Sequence, residues 1–166
     1  MLNCDEIKQL LPHRYPMLLI DRVVGIEPGS SLTALKAVTV NEPWYASLPD
    51  DAAGQHDYPS VLVLESWCQA AAVLGLLDRP HPDGGGAEVV LAVRFQDVTF
   101  HVAVLPGDVL EHRVRLVQAC DDALLFTGEA LVGDEPVLGV GSVMLVVRPV
   151  EGLVPPCTPI SRPPRG

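Results

Sequence analysis

Pro59-Ser-Val-Leu-Val-Leu-Glu-Ser-Trp-Cys-Gln-Ala-Ala-Ala-Val-Leu-Gly-Leu-Leu77 is the stretch on which the reading of this chain turns. Its length favours a helix over a strand. From Val61 to Leu77 the run is apolar but for Glu65, Ser66 and Gln69, which makes it a poor membrane span and a good buried helix of a soluble protein. Ser60 is placed to cap it and Glu65 falls in its second turn. Gln69 lies one turn further on the same face, a candidate substrate-binding residue within reach of Glu65 or of other core groups.

Working outward, the segments on both sides read as strands. Leu18–Glu27 and Leu32–Val40 are rich in β-branched and apolar residues and flank Pro28-Gly-Ser-Ser31, which predicts an antiparallel hairpin. Beyond the helix and the turn-rich Pro80–Gly86 come five strand candidates: Ala87–Phe95, Val98–Val104, Val109–Ala119, Leu124–Val132 and Val137–Val147. Pro106-Gly-Asp108, Asp121-Asp122 and Gly133-Asp134 punctuate them. Asp5–Leu11 predicts a short amphipathic helix that ends near Pro12. Asn41–Tyr58 reads as a loop. One long apolar helix among antiparallel strands predicts an α+β fold in which a curved sheet wraps the helix.

At 166 residues and 48% hydrophobic content, the chain suits one compact domain over residues 1–147, followed by a proline-rich tail, 148–166, that is extended or disordered. A net charge of −10, with no Lys or Arg cluster, argues against nucleic acid and anionic membrane as partners. No basic segment followed by an apolar run opens the chain, so the expected setting is cytoplasmic. Cys4, Cys68, Cys120 and Cys157 lack metal-ligand spacing and read as reduced thiols, with no metal site.

Three segments, in order, resemble the bacterial 3-hydroxyacyl-acyl-carrier-protein dehydratases. They are Leu11-Pro-His-Arg-Tyr-Pro-Met-Leu-Leu-Ile-Asp-Arg22, then Asn41-Glu-Pro43 with Pro59 to Ala70, and Phe100-His-Val-Ala-Val-Leu-Pro-Gly-Asp-Val-Leu110. The resemblance implies a hotdog fold and a dimer whose active sites lie at the subunit interface, pairing a histidine of one chain with the central-helix glutamate of the other. It also implies a partner acyl carrier protein that brings the acyl chain on phosphopantetheine, with no other cofactor.

Loss of water from a 3-hydroxyacyl thioester needs a base for the C2 proton and an acid for the departing hydroxyl. Glu65, among apolar neighbours, is the candidate acid; the alternative is a helix residue that faces solvent. The helix start at Ser60 would turn N–H groups towards the thioester oxygen. The family's histidine, however, stands in a Gly-His-Phe-Pro-Gly string that this chain lacks. One alignment of the loop puts Ser47 or Leu48 at that place and the other puts Asp51 there. His56, the one histidine in the loop, is the candidate base, with Asp51 weaker because an ordinary carboxylate matches a C–H acid poorly. A heterodimer with a histidine-bearing hotdog chain would complete the site instead.

Two changes bear on carrier-protein docking: His101 stands where the family has Arg or Lys, and the chain is acidic, leaving Arg14, Arg22, Arg79 and Arg94 as a possible basic cluster. His13 reads as a structural residue of the turn into the first strand, and His81 and His112 as solvent-exposed. The leading function is a dehydratase-type lyase of fatty-acid or polyketide biosynthesis, or its glutamate-bearing subunit. The alternatives are a catalytically silent hotdog subunit and a hotdog acyl-thioesterase.

Overall fold

The structure is a computed structural model that describes residues 1–46, 48, 49, 54–77 and 88–149. Helix α1 (Cys4–Leu10) begins at Asn3, whose side chain accepts the N–H groups of Asp5 and Glu6 while Glu6 reaches back to Asn3 N–H, a reciprocal capping box. Strands β1 (Arg22–Glu27) and β2 (Ser31–Ala37) form the expected hairpin, with Gly29 at φ 66° in its turn. Helix α2 (Ser60–Leu76) follows the loop, and then come β3 (Glu88–Phe100), β4 (Val109–Cys120), β5 (Ala123–Val132) and β6 (Glu135–Pro149). The six described strands make one antiparallel sheet in the order β1-β2-β4-β5-β6-β3, and α2 packs along it. This is the α+β plan expected from the sequence.

Three boundaries differ from expectation, each for a local reason. The chain from Leu18 to Ile20 is not strand, because its backbone bonds to a side chain: Leu19 N–H donates to Gln69 Oε1 at 2.9 Å. The predicted strands on either side of Gln96-Asp97 are one strand as far as Phe100. Asp97, at φ 51°, stands opposite Gly141 with the register unbroken on either side, and a Cβ on Gly141 would come within 2.7 Å of Asp97 Cβ; the register shift of this strand pair lies instead between Ala92 and Arg94. At the far end β6 runs through Arg148, which pairs with Val89 and meets Asp122 in an ion pair, so this part of the expected tail belongs to the sheet. The remainder of the tail, from residue 150, lies outside the described residues, as does Cys157.

Helix α2 buries Val63, Trp67 and the run Ala70–Leu74 against the sheet. Its small residues set the distance of approach. A Cβ on Gly75 would sit 2.5 Å from Leu124 Cδ1, and one on Gly128 of β5 would sit 2.0 Å from the Arg113 carbonyl oxygen and 3.2 Å from the Trp67 ring. Trp67 is fully buried over that glycine and donates its indole N–H to the Arg113 carbonyl at 3.2 Å.

Polar groups lie under the helix as well. Lys36 and Glu42, 5% and 9% exposed, bond to each other at 2.8 Å, and Lys36 also donates to the Ala37 carbonyl at 2.7 Å. Glu42 further accepts Thr39 N–H, which pins the start of the loop to the end of β2. His112 is fully buried, not exposed as its polar type suggests, because it occupies an inward position of β4 between Leu110 and Val114. Its Nε2 lies 2.9 Å from Ser66 Oγ. Ser66 spends its one proton on the Val63 carbonyl at 3.0 Å, so the imidazole is the donor of the pair. Burial, with Lys36 nearby, pushes the His112 pKa down to about 3.

Two outcomes follow for stability. Gly128→Ala drives a methyl into backbone and is expected to lower unfolding free energy by about 2–4 kcal/mol in urea melts. His112 stays neutral in the folded chain but takes up a proton near pH 6.5 once unfolded. Its stabilising effect is therefore complete above that pH and declines as pH falls towards 3, at about 1.4 kcal/mol per unit, or about 2 kcal/mol by pH 5. His112→Asn should flatten this part of the pH dependence, read from urea midpoints between pH 5 and 7.

Candidate functional site

The carboxylate of Glu65 projects from the second turn of α2 with about a third of its side chain exposed. One turn on, Gln69 is 1% exposed and bonds through both ends of its amide. Its Nε2 donates to Glu65 Oε1 at 2.9 Å and to the Met17 carbonyl at 2.7 Å, and its Oε1 accepts Leu19 N–H. Both expectations for Gln69 thus hold together: it contacts Glu65 and it is a satisfied core group.

That amide ties the segment before β1 to the helix, and the tie brings in a residue whose sequence context points only to a turn. His13 Nε2 stands 3.5 Å from Glu65 Oε1. The loop carrying it is braced by Arg14, whose guanidinium donates to the carbonyls of Leu11 at 2.8 Å, His13 at 2.6 Å and Lys8 at 3.1 Å. Nothing in the sequence spacing separates His13 from a purely structural histidine, because its neighbour Glu65 lies on a different element. The matched string around it is the only signal.

His56 sits elsewhere. Its ring lies 6.1 Å from that of Tyr45, and its carbonyl accepts the Tyr45 hydroxyl at 3.2 Å. It borders one groove of about 630 Å³ with Tyr15, Glu42 and Pro49, and another of about 510 Å³ with Val40, Leu105 and Pro106. Within the chain it forms no ion pair with Glu65. Ser47 and Asp51 lie outside the described residues, and Leu48 packs against the core.

Ser60 is the first residue of α2 and does not cap it. Pro59 occupies the cap position, with φ −56° and ψ 122°, and a proline side chain has no acceptor to offer. The leading N–H groups of the helix therefore have no side-chain cap. A crevice of about 70 Å³ opens beside them, bordered by Ser60, Val63, Tyr58, Phe100 and Val102. Cys68, next to Trp67, is a buried thiol pushed up to about 12 by burial and by the nearby Glu65, which suits a packing role and no nucleophilic one. Among the described residues no group of three or more His, Cys, Asp or Glu side chains could hold a metal ion, and no helix is long and apolar enough to cross a membrane.

Among the described residues, Arg14, Arg22 and Arg94 do not gather into one patch. Arg14 is occupied by the loop carbonyls, and Arg22 on β1 and Arg94 on β3 stand at opposite edges of the sheet. Arg79 and His81 lie outside the described residues.

The chain is similar to known proteins over most of its length. The FabA-like domain family matches residues 11–140. The 3-hydroxyacyl-[acyl-carrier-protein] dehydratase FabZ of Colwellia psychrerythraea is 37% identical over 150 residues, covering 90% of this chain and 95% of that protein. Among solved structures, the dehydratase heterocomplex ApeI:P from Xenorhabdus doucetiae aligns with a TM-score of 0.67 at 19% identity, covering 86% of this chain and 90% of that one. The fluoroacetyl-CoA thioesterase FlK aligns with a TM-score of 0.57 at 17% identity over 78% of this chain and 93% of its own. At those identities the structures speak for the fold. The chain belongs to the FabA-like family and is a hotdog-fold, dehydratase-type lyase of the 3-hydroxyacyl-[acyl-carrier-protein] dehydratase kind.

Proposed function

We propose that this chain supplies Glu65 as the general acid of a site, shared between two hotdog chains, that removes water from a 3-hydroxyacyl thioester carried on the phosphopantetheine of an acyl carrier protein. The carrying observation is the Glu65 carboxyl held by Gln69 on the central helix of a dehydratase-family chain. In the reaction a base takes the C2 proton, that C–H pair becomes the new double bond, and the C3–O bond breaks as its oxygen accepts the Glu65 proton and leaves as water. The uncapped start of α2 at Ser60 offers N–H groups to the thioester oxygen as charge develops there.

The base comes from a second chain. Among the described residues the one imidazole beside Glu65 is that of His13, which contacts the acid itself, and His56 packs on Tyr45. A histidine-bearing hotdog partner would face Glu65 across the interface, as an arrangement of two different chains in ApeI:P makes reasonable for this fold. The second reading is a homodimer in which the partner copy's His56 serves, favoured by the open groove that His56 borders. No further cofactor and a cytoplasmic setting belong to the same proposal.

Strand β3 supports pairing with another chain. It is the edge of the sheet opposite β1, and it leaves Val93 53% and Phe95 46% exposed along a ladder with no partner on its outer side among the described residues. An apolar edge of this length seeks another strand.

The purified chain, alone or mixed with a histidine-bearing hotdog relative, should hydrate a short 2-enoyl thioester. Glu65→Gln should lower that rate by about 10²–10⁴ while leaving the melting temperature in place. Activity only on mixing identifies the two-chain enzyme, and activity alone identifies the homodimer. Thiol release without hydration would assign a thioesterase instead, and a chain inactive with every relative would be a silent subunit. Phe95→Lys should shift the dimer towards monomer in light-scattering measurements, with activity falling in parallel because the site is shared.

A further inference from the structure

Glu65 is held through one oxygen. Oε1 receives Gln69 Nε2–H at 2.9 Å and faces His13 Nε2 at 3.5 Å, while Oε2 has no partner among the described residues. We propose that His13 is a positioning residue for Glu65, which together with Gln69 occupies Oε1 and so assigns the working proton to Oε2. This rests on the reading of Glu65 as the acid.

The protonation of His13 follows from its surroundings. Its Nδ1 is buried with no hydrogen-bond partner. Buried N–H groups without an acceptor are rarer and costlier than acceptors left bare. Nε2, in contrast, faces a carboxyl oxygen that attracts a donor. The neutral ring therefore carries its proton on Nε2 and directs it to Glu65.

An oxygen that accepts one N–H and has a ring nitrogen 3.5 Å away is the carbonyl-like oxygen of a protonated carboxyl, which leaves the acidic hydrogen to the other oxygen. Oε2 is then the atom that delivers a proton to the leaving hydroxyl. The same assignment removes His13 as a replacement for the missing base. One of its nitrogens is turned to the Glu65 carboxyl and the other is buried, so neither is presented to a C2 proton.

The loop is built to hold this ring in place. Arg14 binds three carbonyls on the α1 side, and Gln69 binds Met17 and Leu19 on the β1 side, so the stretch from Leu11 to Leu19 is tied at both ends. A histidine in an untied loop would have little power to orient a carboxyl. Here Gln69 serves both as a direct contact of Glu65 and as a tie for the loop that presents the second contact.

Two measurements on the full-length protein test this. Long-range proton–nitrogen NMR of the histidine-labelled chain, which needs no turnover, should show the His13 ring protonated on Nε2 and bare at Nδ1; protonation on Nδ1 would overturn the proposal. In the active dimer, His13→Ala should lower kcat by about 10- to 100-fold with KM changed by less than about threefold. His13→Gln places an amide N–H near the former Nε2 and should recover most of the rate, whereas His13→Asn, whose amide reaches only as far as Nδ1, should not. Equal losses in the Gln and Asn variants would reduce His13 to a packing residue. If Glu65→Gln retains full activity, the acid assignment fails first, whatever the His13 variants do.

Discussion

The amide of Gln69 is the constraint on which much of the molecule depends. A carboxamide placed at the centre of a buried helix must find partners for its oxygen and both N–H groups, or lose free energy of the order of 1–3 kcal/mol for each group left bare. The chain meets that demand with the backbone of Met17 and Leu19 and with the Glu65 carboxyl. Those bonds draw the segment before β1 onto α2, and with it the loop that carries His13. A requirement of core packing and the assembly of the site are thus served by one side chain.

Around that centre the fold depends on close approach. Ala70, Ala71, Ala72 and Gly75 let α2 settle into the sheet, and Gly128 leaves room for Trp67 over β5. The buried polar pairs follow the same logic as Gln69. Ser66 with His112 ties the helix to β4, and Lys36 with Glu42 ties the end of β2 to the loop that leads towards α2. In each, the facing groups are matched to one another, which helps polar groups persist in an apolar interior, although His112 Nδ1 is buried without a partner. The site sits at the border of this interior, where about a third of the Glu65 side chain stays exposed to water.

Much of the architecture is legible in the amino-acid sequence. The apolar run over Pro59–Leu77 announces the helix, and Pro28-Gly29 announces the hairpin, because hydrophobic length and turn chemistry are local properties. Glu65 and Gln69 are legible as a pair from their spacing along one helical turn. His112 is not. Its polar type suggests the surface, and only the alternation of β4, fixed by where α2 lies, turns the ring inward to Ser66. Ser60 has the residue type of a cap without the position, because the backbone of Pro59 takes that place instead. Strand β1 starts later than its apolar residues suggest because a side-chain amide from fifty residues away replaces the ladder partner of Leu19.

The sequence by itself determined the fold class, the family and the place of Glu65 on the central helix. Periodicity, turn residues and matched strings are written along the chain and need no knowledge of what lies across the core. Only the tertiary structure decided which imidazole meets Glu65. His56 is the nearer of the two in sequence, yet its ring turns to Tyr45, while His13, from the far side of the hairpin, stands 3.5 Å from the carboxyl. That choice is made by long-range hydrogen bonds closing over a buried helix, and sequence distance carries no record of them.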